Sequence, residues 1–139
     1  AHGMNLGGRY VFPFGSVKFV PALHSSGYEI DGVMTYMGEA SGIILEAEDK
    51  KIYHAGDTAL FSDMRLFAKD KSIDVAFLPI GDNYTMGPED ALQAVSYLNP
   101  KITIPIHYNT FPVIQQNPAI FVEQVVGGKV LNPGETILV

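Results

Sequence analysis

The sequence predicts an α+β protein in which a β-rich first half is followed by the order β-α-β-α-β. Two nearly continuous apolar runs, residues 73–80 and 101–107, are typical of strands that are buried on both faces. Between them, Gly87-Pro88-Glu89-Asp90 suits the first turn of a helix, because proline and acidic side chains are favoured there. Apolar residues then recur at helical spacing until Asn99-Pro100, where we expect the helix to end.

The first half of the chain is predicted to consist of hairpins. Residues 10–14 and 17–23 are strand-like and flank Gly15-Ser16, which predicts a turn at that dipeptide. The dipeptide Asp31-Gly32 is a strong hairpin signal between two further short strands. The remaining strands of this half are predicted at residues 28–30, 34–36, 41–47 and 51–54.

Three further elements are predicted after the first half. A short helix is expected at residues 62–67, after a possible cap at Ser62. A last helix is expected at residues 118–126, ending at Gly127-Gly128. The chain is then expected to close with a hairpin of residues 130–131 and 136–139.

Length and composition limit the class of protein. The 139 residues suffice for one domain, and a hydrophobic content of 47% supports a packed core. The net charge of −6 argues against a general nucleic-acid or anionic-membrane surface, and no apolar run approaches the ~20 residues of a membrane span. There is no cysteine, so any metal must be held by His, Asp or Glu. Because the lack of cysteine also suits a reducing compartment, we expect a cytoplasmic location.

Three possible metal ligands each follow an apolar strand. His24 follows "VKFVPAL", Asp57 follows "KIYHAG" and His107 follows "KITIPI". Strand ends at one edge of a sheet lie close together, so we expect these side chains to converge; imidazole and carboxylate suit zinc, iron or manganese. The alternative is that each histidine is a hydrogen-bonded surface group and that Asp57 caps its own turn. His54 is expected to be packed or hydrogen-bonded.

Two loops beside these residues have open interpretations. Residues 81–85 are either a substrate or anion loop or a turn with a helix cap. Tyr84 in this loop, and Asn109 and Thr110 after His107, are candidates for substrate contacts. Phe111 either lines a pocket or packs and turns with Pro112.

Four motifs together resemble those of the metallo-β-lactamase-fold hydrolases. They are "HSSGYEI", "YHAGDT", "FLPIGDNYTMGPEDA" and "IPIHYNTFP", in the order of the chain, and they are most similar to the UPF0173 group of metal-dependent hydrolases. The resemblance implies an αβ/βα four-layer sandwich. It also implies that His24 and His107 are metal ligands and that Asp57 bridges two metals.

The same resemblance implies a chemistry. A hydroxide held by two divalent metal ions would attack an ester, a lactone or a phosphoester of a small-molecule substrate, and Asp57 would orient it. Zinc is the first expectation for the metals, with manganese, iron or nickel as alternatives.

One motif of the family is missing from the sequence. No His-x-His pair occurs, although the family carries His-x-His-x-Asp-His after an early strand. We therefore expect residues 1–139 to be a single partial domain, the C-terminal portion of such a protein, without its N-terminal strands. It would be inactive alone and would pair with its own N-terminal segment or with another copy. The alternatives are a phosphodiesterase or nuclease of the same fold and a catalytically inert association module.

Overall fold

The computed structural model describes all of residues 1–139, which contain more strand than helix. In chain order the strands are β1 (Arg9–Phe12), β2 (Gly15–Pro21), β3 (Gly27–Ile30), β4 (Val33–Tyr36), β5 (Ser41–Ala47), β6 (Lys50–His54), β7 (Val75–Pro79) and β8 (Ile102–Ile106). The α-helices are α1 (Pro88–Leu98) and α2 (Pro118–Glu123), and Ser62–Ala68 and Pro112–Ile114 form 3₁₀-helices. None of the helices combines the length and the hydrophobicity that a membrane span requires.

Six strands form one mixed sheet in the order β1-β2-β5-β6-β7-β8, and β3 pairs only with β4. The strands β6, β7 and β8 are parallel to one another. Because β2 and β6 are both antiparallel to β5, they also run in the same direction. The carboxyl ends of β2, β6, β7 and β8 therefore share one edge of the sheet. The α+β class and this shared edge, both expected from the sequence, are confirmed.

The hairpin at Asp31-Gly32 and helix α1 lie where the sequence predicts them. Both turn residues have positive φ, 51° and 79°, as a two-residue hairpin turn requires. Helix α1 ends at Asn99, which adopts the left-handed conformation, and Pro100 follows. The last helix begins where predicted but stops at Glu123, earlier than predicted. Its start is capped by the Asn117 side chain, which accepts hydrogen bonds from the N–H groups of Ala119 and Ile120.

The turn of the first hairpin was predicted wrongly. It lies at Pro13-Phe14, and Gly15 is already the first residue of β2, paired with Phe12. A Cβ at Gly15 would overlap the carbonyl oxygen of Glu46 on β5. Glycine is therefore required for the close approach of two strands and not for the turn.

The predicted closing hairpin is also absent. A turn does form at Asn132, whose N–H donates to the Glu135 carboxylate at 2.8 Å, but the flanking residues make no ladder. Instead, Gly127 and Lys129 hydrogen-bond to Thr103 of the edge strand β8. The edge strand offers unpaired backbone groups, whereas two short exposed segments with no third strand would be marginal in water. The predicted order β-α-β-α-β therefore lacks its last strand.

One face of the six-stranded sheet is covered by helices. Alternate residues of β6, Lys51 and Tyr53, are buried on this face, and Met64 of the 3₁₀-helix and Leu98 of α1 belong to the same buried side of the protein. The opposite face is only partly covered. Ile43 remains 39% exposed there, and the apolar β3–β4 hairpin is exposed along nearly its whole length.

Candidate metal centre

The predicted metal ligands all lie beyond the shared carboxyl edge. His24 follows β2, Asp57 follows β6, and His107 follows β8 directly. In the order β2-β5-β6-β7-β8, each histidine lies two strand positions from Asp57, or about 10 Å at the level of the backbone. Such separations are short enough for loops and side chains to bridge.

The structure brings Asp57 and His107 together. Nε2 of His107 lies 3.6 Å from Oδ2 of Asp57, and the two side chains are 22% and 48% exposed. The pair therefore faces solvent on one side, so an ion and a substrate could reach it. The structure thus places Asp57 and His107 close together, and their role as a ligand pair stays a prediction.

His107 is held in an unusual conformation. Its φ is +53°, in the left-handed region that non-glycine residues seldom adopt. Its Nδ1 is buried and has no hydrogen-bond partner. Gly81, at the end of the neighbouring strand, makes this arrangement possible: a Cβ at Gly81 would overlap the carbonyl oxygen of His107 and lie 3.0 Å from its Nδ1. A strained residue held by its surroundings is a frequent feature of functional sites.

The loop that carries His24 is attached to the loop that carries Asp57. The N–H of Leu23 donates to Oγ1 of Thr58 at 2.9 Å, and the N–H of Ala59 donates to the carbonyl of Leu23 at 2.9 Å. The His24 ring lies with Nδ1 at 2.7 Å from the carbonyl of Ser25. Since a carbonyl can only accept, Nδ1 carries a proton, and in the neutral ring Nε2 is the nitrogen with the free lone pair.

The expected three-residue group is not assembled. No three His, Asp or Glu side chains cluster so that they could hold one metal ion. His24 is turned to its own loop, and Asp57 and His107 remain a pair. In donor type, one carboxylate and two imidazoles fit a divalent transition metal. In number, the pair falls short of the three protein ligands of a catalytic zinc.

His54 is packed and hydrogen-bonded, as predicted. Its ring stacks on Phe77 with centroids 5.5 Å apart, and its Nδ1 accepts from the N–H of Gly56 at 3.1 Å. Desolvation of the ring lowers the pKa of His54, and the negative charge of Asp57 opposes this shift. These two contacts hold the His54 ring at the end of β6.

The loop after β7 adopts the turn that was one of its two predicted interpretations. Asp82 and Asn83 both have positive φ, and the Asp82 carboxylate accepts from the N–H of Asn83 at 2.8 Å. The following helix has no side-chain cap. Met86 donates its N–H to the carbonyl of Thr58 at 2.9 Å, so this turn is attached to the Asp57 loop.

The three candidate substrate contacts differ in their surroundings. Tyr84 is 55% exposed, and its ring lies 6.0 Å from that of Phe111 across the gap between two loops. Thr110 is exposed. Asn109 has φ +61°, and its side chain accepts from the N–H of Gln116 at 2.8 Å, which closes its own loop. Tyr84 and Thr110 are therefore free to contact a substrate, whereas Asn109 already has a structural partner.

Sequence reasoning missed the roles of Thr58 and Gly81. Thr58 is fully buried and links the loop of His24 to the loop of Asp57. The only sequence signal for Thr58 is its position directly after Asp57. Gly81 follows a buried strand, where the absence of a side chain indicates close approach of another backbone.

The fold agrees with the matches to known proteins. A β-lactamase superfamily domain matches residues 1–108, so the chain belongs to the β-lactamase superfamily. The chain is similar to a UPF0173 metal-dependent hydrolase of Enterococcus faecalis, with 97% identity over the whole chain, and to one of Bacillus thuringiensis, with 56% identity over 98% of the chain.

A solved structure gives the same result. The chain is similar to a metallo hydrolase from the hyperthermophilic archaeon Ignicoccus hospitalis, with a TM-score of 0.84 and 37% identity over 98% of the chain and 59% of that protein. The chain spans 62% of the length of both curated relatives. The resemblance to the metallo-β-lactamase fold and to the UPF0173 group is therefore confirmed.

Proposed function

We propose that this chain carries part of the active site of a metal-dependent hydrolase that acts on an ester, a lactone or a phosphoester. The observation that carries the proposal is the pairing of Asp57 and His107 beyond the ends of two strands of the same sheet. Membership of the β-lactamase superfamily supports it. The substrate would be a small molecule, because the pair lies between short loops.

Asp57, His107 and His24 would hold the metal. A divalent ion, with zinc as the first expectation, supplies Lewis acidity that polarises a substrate oxygen and acidifies water. Asp57 would bridge two ions and orient the nucleophile. The loop of His24 is anchored to Thr58, and rotation of the His24 side chain within this loop would bring its Nε2 to the metal.

The remaining ligands would come from polypeptide beyond this chain. The two curated relatives are longer, and the chain covers 62% of each. A further segment would pack on the partly covered face of the sheet, where Ile43 is exposed. The chain would then be one portion of a four-layer sandwich. Alternatively, a second copy of the chain would cover this face.

Two rival functions would each need a different surface feature. A phosphodiesterase or nuclease of the same fold would need a basic groove next to Asp57, and the net charge of −6 does not favour one. An inert association module is favoured by one observation, the exposed apolar hairpin β3–β4.

The test uses this chain extended by the part of the Enterococcus faecalis relative that it does not cover. It is assayed with an ester, a lactone and a phosphodiester after loading with zinc or manganese. We expect hydrolysis of at least one, and we expect Asp57→Asn and His107→Gln to lower it by about 10²-fold or more, since ligand loss removes the metal and the orientation of its neighbours.

The matched controls are Asp63→Asn and His2→Gln, which change exposed side chains away from the strand ends. They should retain activity. Hydrolysis that survives both site substitutions would exclude Asp57 and His107 as the centre. A folded, metal-loaded protein with no activity on any of the three classes would favour the association module.

A further inference from the structure

A cavity lined by basic residues, remote from Asp57 and His107, indicates a second site. It lies between β2, β5, the start of β6 and the 3₁₀-helix Ser62–Ala68, and has a volume of about 510 Å³. Four of the nine basic residues of the chain line it: Arg9, Lys18, Lys51 and Lys71. We call this space the basic cavity. Lys51 lies near the amino end of β6, whereas Asp57 lies beyond its carboxyl end.

Lys51 is the most constrained of the four. Its side chain is buried, with the residue 5% exposed, and it takes part in no ion pair. An ammonium group has three N–H donors, and the one acceptor found for it is the carbonyl of Lys71 at 3.3 Å. A buried ammonium with unused donors is costly unless a further acceptor meets it. The burial lowers the pKa of Lys51, and the carboxylates of Glu46 and Asp70 oppose the shift.

The carboxylates of the cavity neutralise only part of its charge. Glu46 and Asp70 are its two acidic lining residues. Glu46 is already bound by Arg9, with N–O distances of 2.6 and 3.4 Å. Four basic and two acidic lining residues leave two positive charges in excess. Lys18, Lys51 and Lys71 form no ion pair with a carboxylate, and Nζ of Lys71 donates instead to the carbonyl of Asp49 at 2.5 Å. This concentration of positive charge is unusual in a chain of net charge −6.

The other walls of the cavity are apolar. The apolar lining residues are Phe19, Val20, Ile44, Leu66 and Phe67. Cavities of roughly 300–1,000 Å³ with mostly apolar walls and a few convergent polar groups are typical of small-molecule sites. The size and lining suit a ligand that has both an anionic group and an apolar body.

We propose that the basic cavity binds a small organic dianion, a phosphate or phosphonate group on an apolar body, with Lys51 and Lys18 contacting the anionic group. The site is separate from Asp57 and His107, and it does not depend on the proposed hydrolase function. Phosphate oxygens would supply the acceptors that the buried ammonium lacks, and the apolar body would cover Phe67 and Val20.

The experiment titrates the metal-free chain, in the presence of EDTA, with phenylphosphonate and follows binding by calorimetry and NMR. Phenylphosphonate is not hydrolysed and carries both chemical features. We expect saturable binding, and we expect Lys51→Met to weaken it by about tenfold or more, because it removes charge-assisted hydrogen bonds to the anionic group. Lys18→Met should weaken it as well, and added salt should weaken it in every variant.

Lys129→Met, which removes an exposed lysine outside the cavity, is the matched control and should bind as the unmodified chain does. If Lys51→Met does not fold, Lys18→Met decides the matter, since Lys18 is only half-buried. The proposal is overturned if the folded lysine variants bind like the control. It is also overturned if benzyl alcohol binds as well as phenylphosphonate, or if no saturable binding occurs.

Discussion

Nε2 of His107 lies 3.6 Å from Oδ2 of Asp57, although 50 positions of sequence separate the two residues. They meet because β6, β7 and β8 are parallel, so the loops after β6 and β8 leave the sheet at the same edge. The pair is a consequence of topology, and its surroundings then fix its geometry. Gly81 packs against His107, and Thr58 attaches the His24 loop beside Asp57.

Replacing Thr58 with valine should weaken both the fold and the site. The N–H of Leu23 would lose its acceptor, and the buried Thr58 hydroxyl would no longer donate to Ala59. We expect a loss of about 1–3 kcal/mol in the free energy of unfolding, measured by urea denaturation. Thr58→Ser should restore most of it, and Thr110→Val, an exposed control, should change little. An unchanged stability in Thr58→Val would show that the link between the two loops is unimportant.

Replacing Gly81 with alanine should displace His107. The added methyl group would overlap the His107 carbonyl and press on its ring. We expect a loss of about 1–3 kcal/mol in unfolding free energy, together with a changed NMR environment of the His107 ring. Gly3→Ala is the control, because a Cβ there would meet nothing within 4 Å. Histidine ring signals that stay unchanged in Gly81→Ala would contradict the proposed positioning.

Asp74 should make stability depend on pH. Its buried carboxylate accepts from Nζ of Lys101 at 2.7 Å and from the N–H of Lys51 at 2.8 Å. The hydrogen bond from Lys101 is the main cause that holds the pKa of Asp74 below its ordinary value, and the hydrogen bond from the N–H of Lys51 lowers the pKa further. A depressed folded-state pKa gives stability that is complete above the unfolded-state value of about 4 and is lost as the pH falls through the folded-state value.

Asp74→Asn should therefore be less stable than the unmodified chain at pH 7, by about 1–3 kcal/mol, and the difference should shrink below about pH 4. Urea denaturation at a series of pH values from about 3 to about 7 measures this difference in the free energy of unfolding. Asp63→Asn changes an exposed carboxylate, and its free energy of unfolding should depend on pH as that of the unmodified chain does. A difference that is constant with pH would rule out the carboxylate charge as its source.

The isolated chain should associate with itself. The β3–β4 hairpin presents Val33, Met34 and Tyr36, each at least 64% exposed, and exposed apolar strands are association sites. We expect sedimentation velocity to detect dimers or larger species, and we expect the double substitution Val33→Ser and Tyr36→Ser to reduce them. Val126→Ser, which changes a single exposed apolar residue elsewhere, is the control. A stable monomer of 15.1 kDa for the unmodified chain would contradict this expectation.

The parts of the fold that local chemistry determines were predictable from the sequence. Asp31-Gly32 encodes its own turn, and the strands before Asp57 and His107 are apolar enough to be recognised. The first turn and the C-terminal hairpin were predicted wrongly because distant contacts decide them: Gly15 must pass close to Glu46, and Gly127 to Lys129 pair with β8. The roles of Thr58 and Gly81 likewise depend on partners 35 and 26 positions away, which no local pattern can indicate.

The central claim is that Asp57, His107 and His24 are an incomplete metal site, to be completed by a further segment. Equilibrium dialysis against zinc and manganese tests it directly, with the 139-residue chain alone and with the chain extended by the part of the Enterococcus faecalis relative that it does not cover. We predict weak or absent binding by the chain alone and binding of two metals by the extended chain, lost in Asp57→Asn. Tight stoichiometric binding of two metals by residues 1–139 alone would contradict the account.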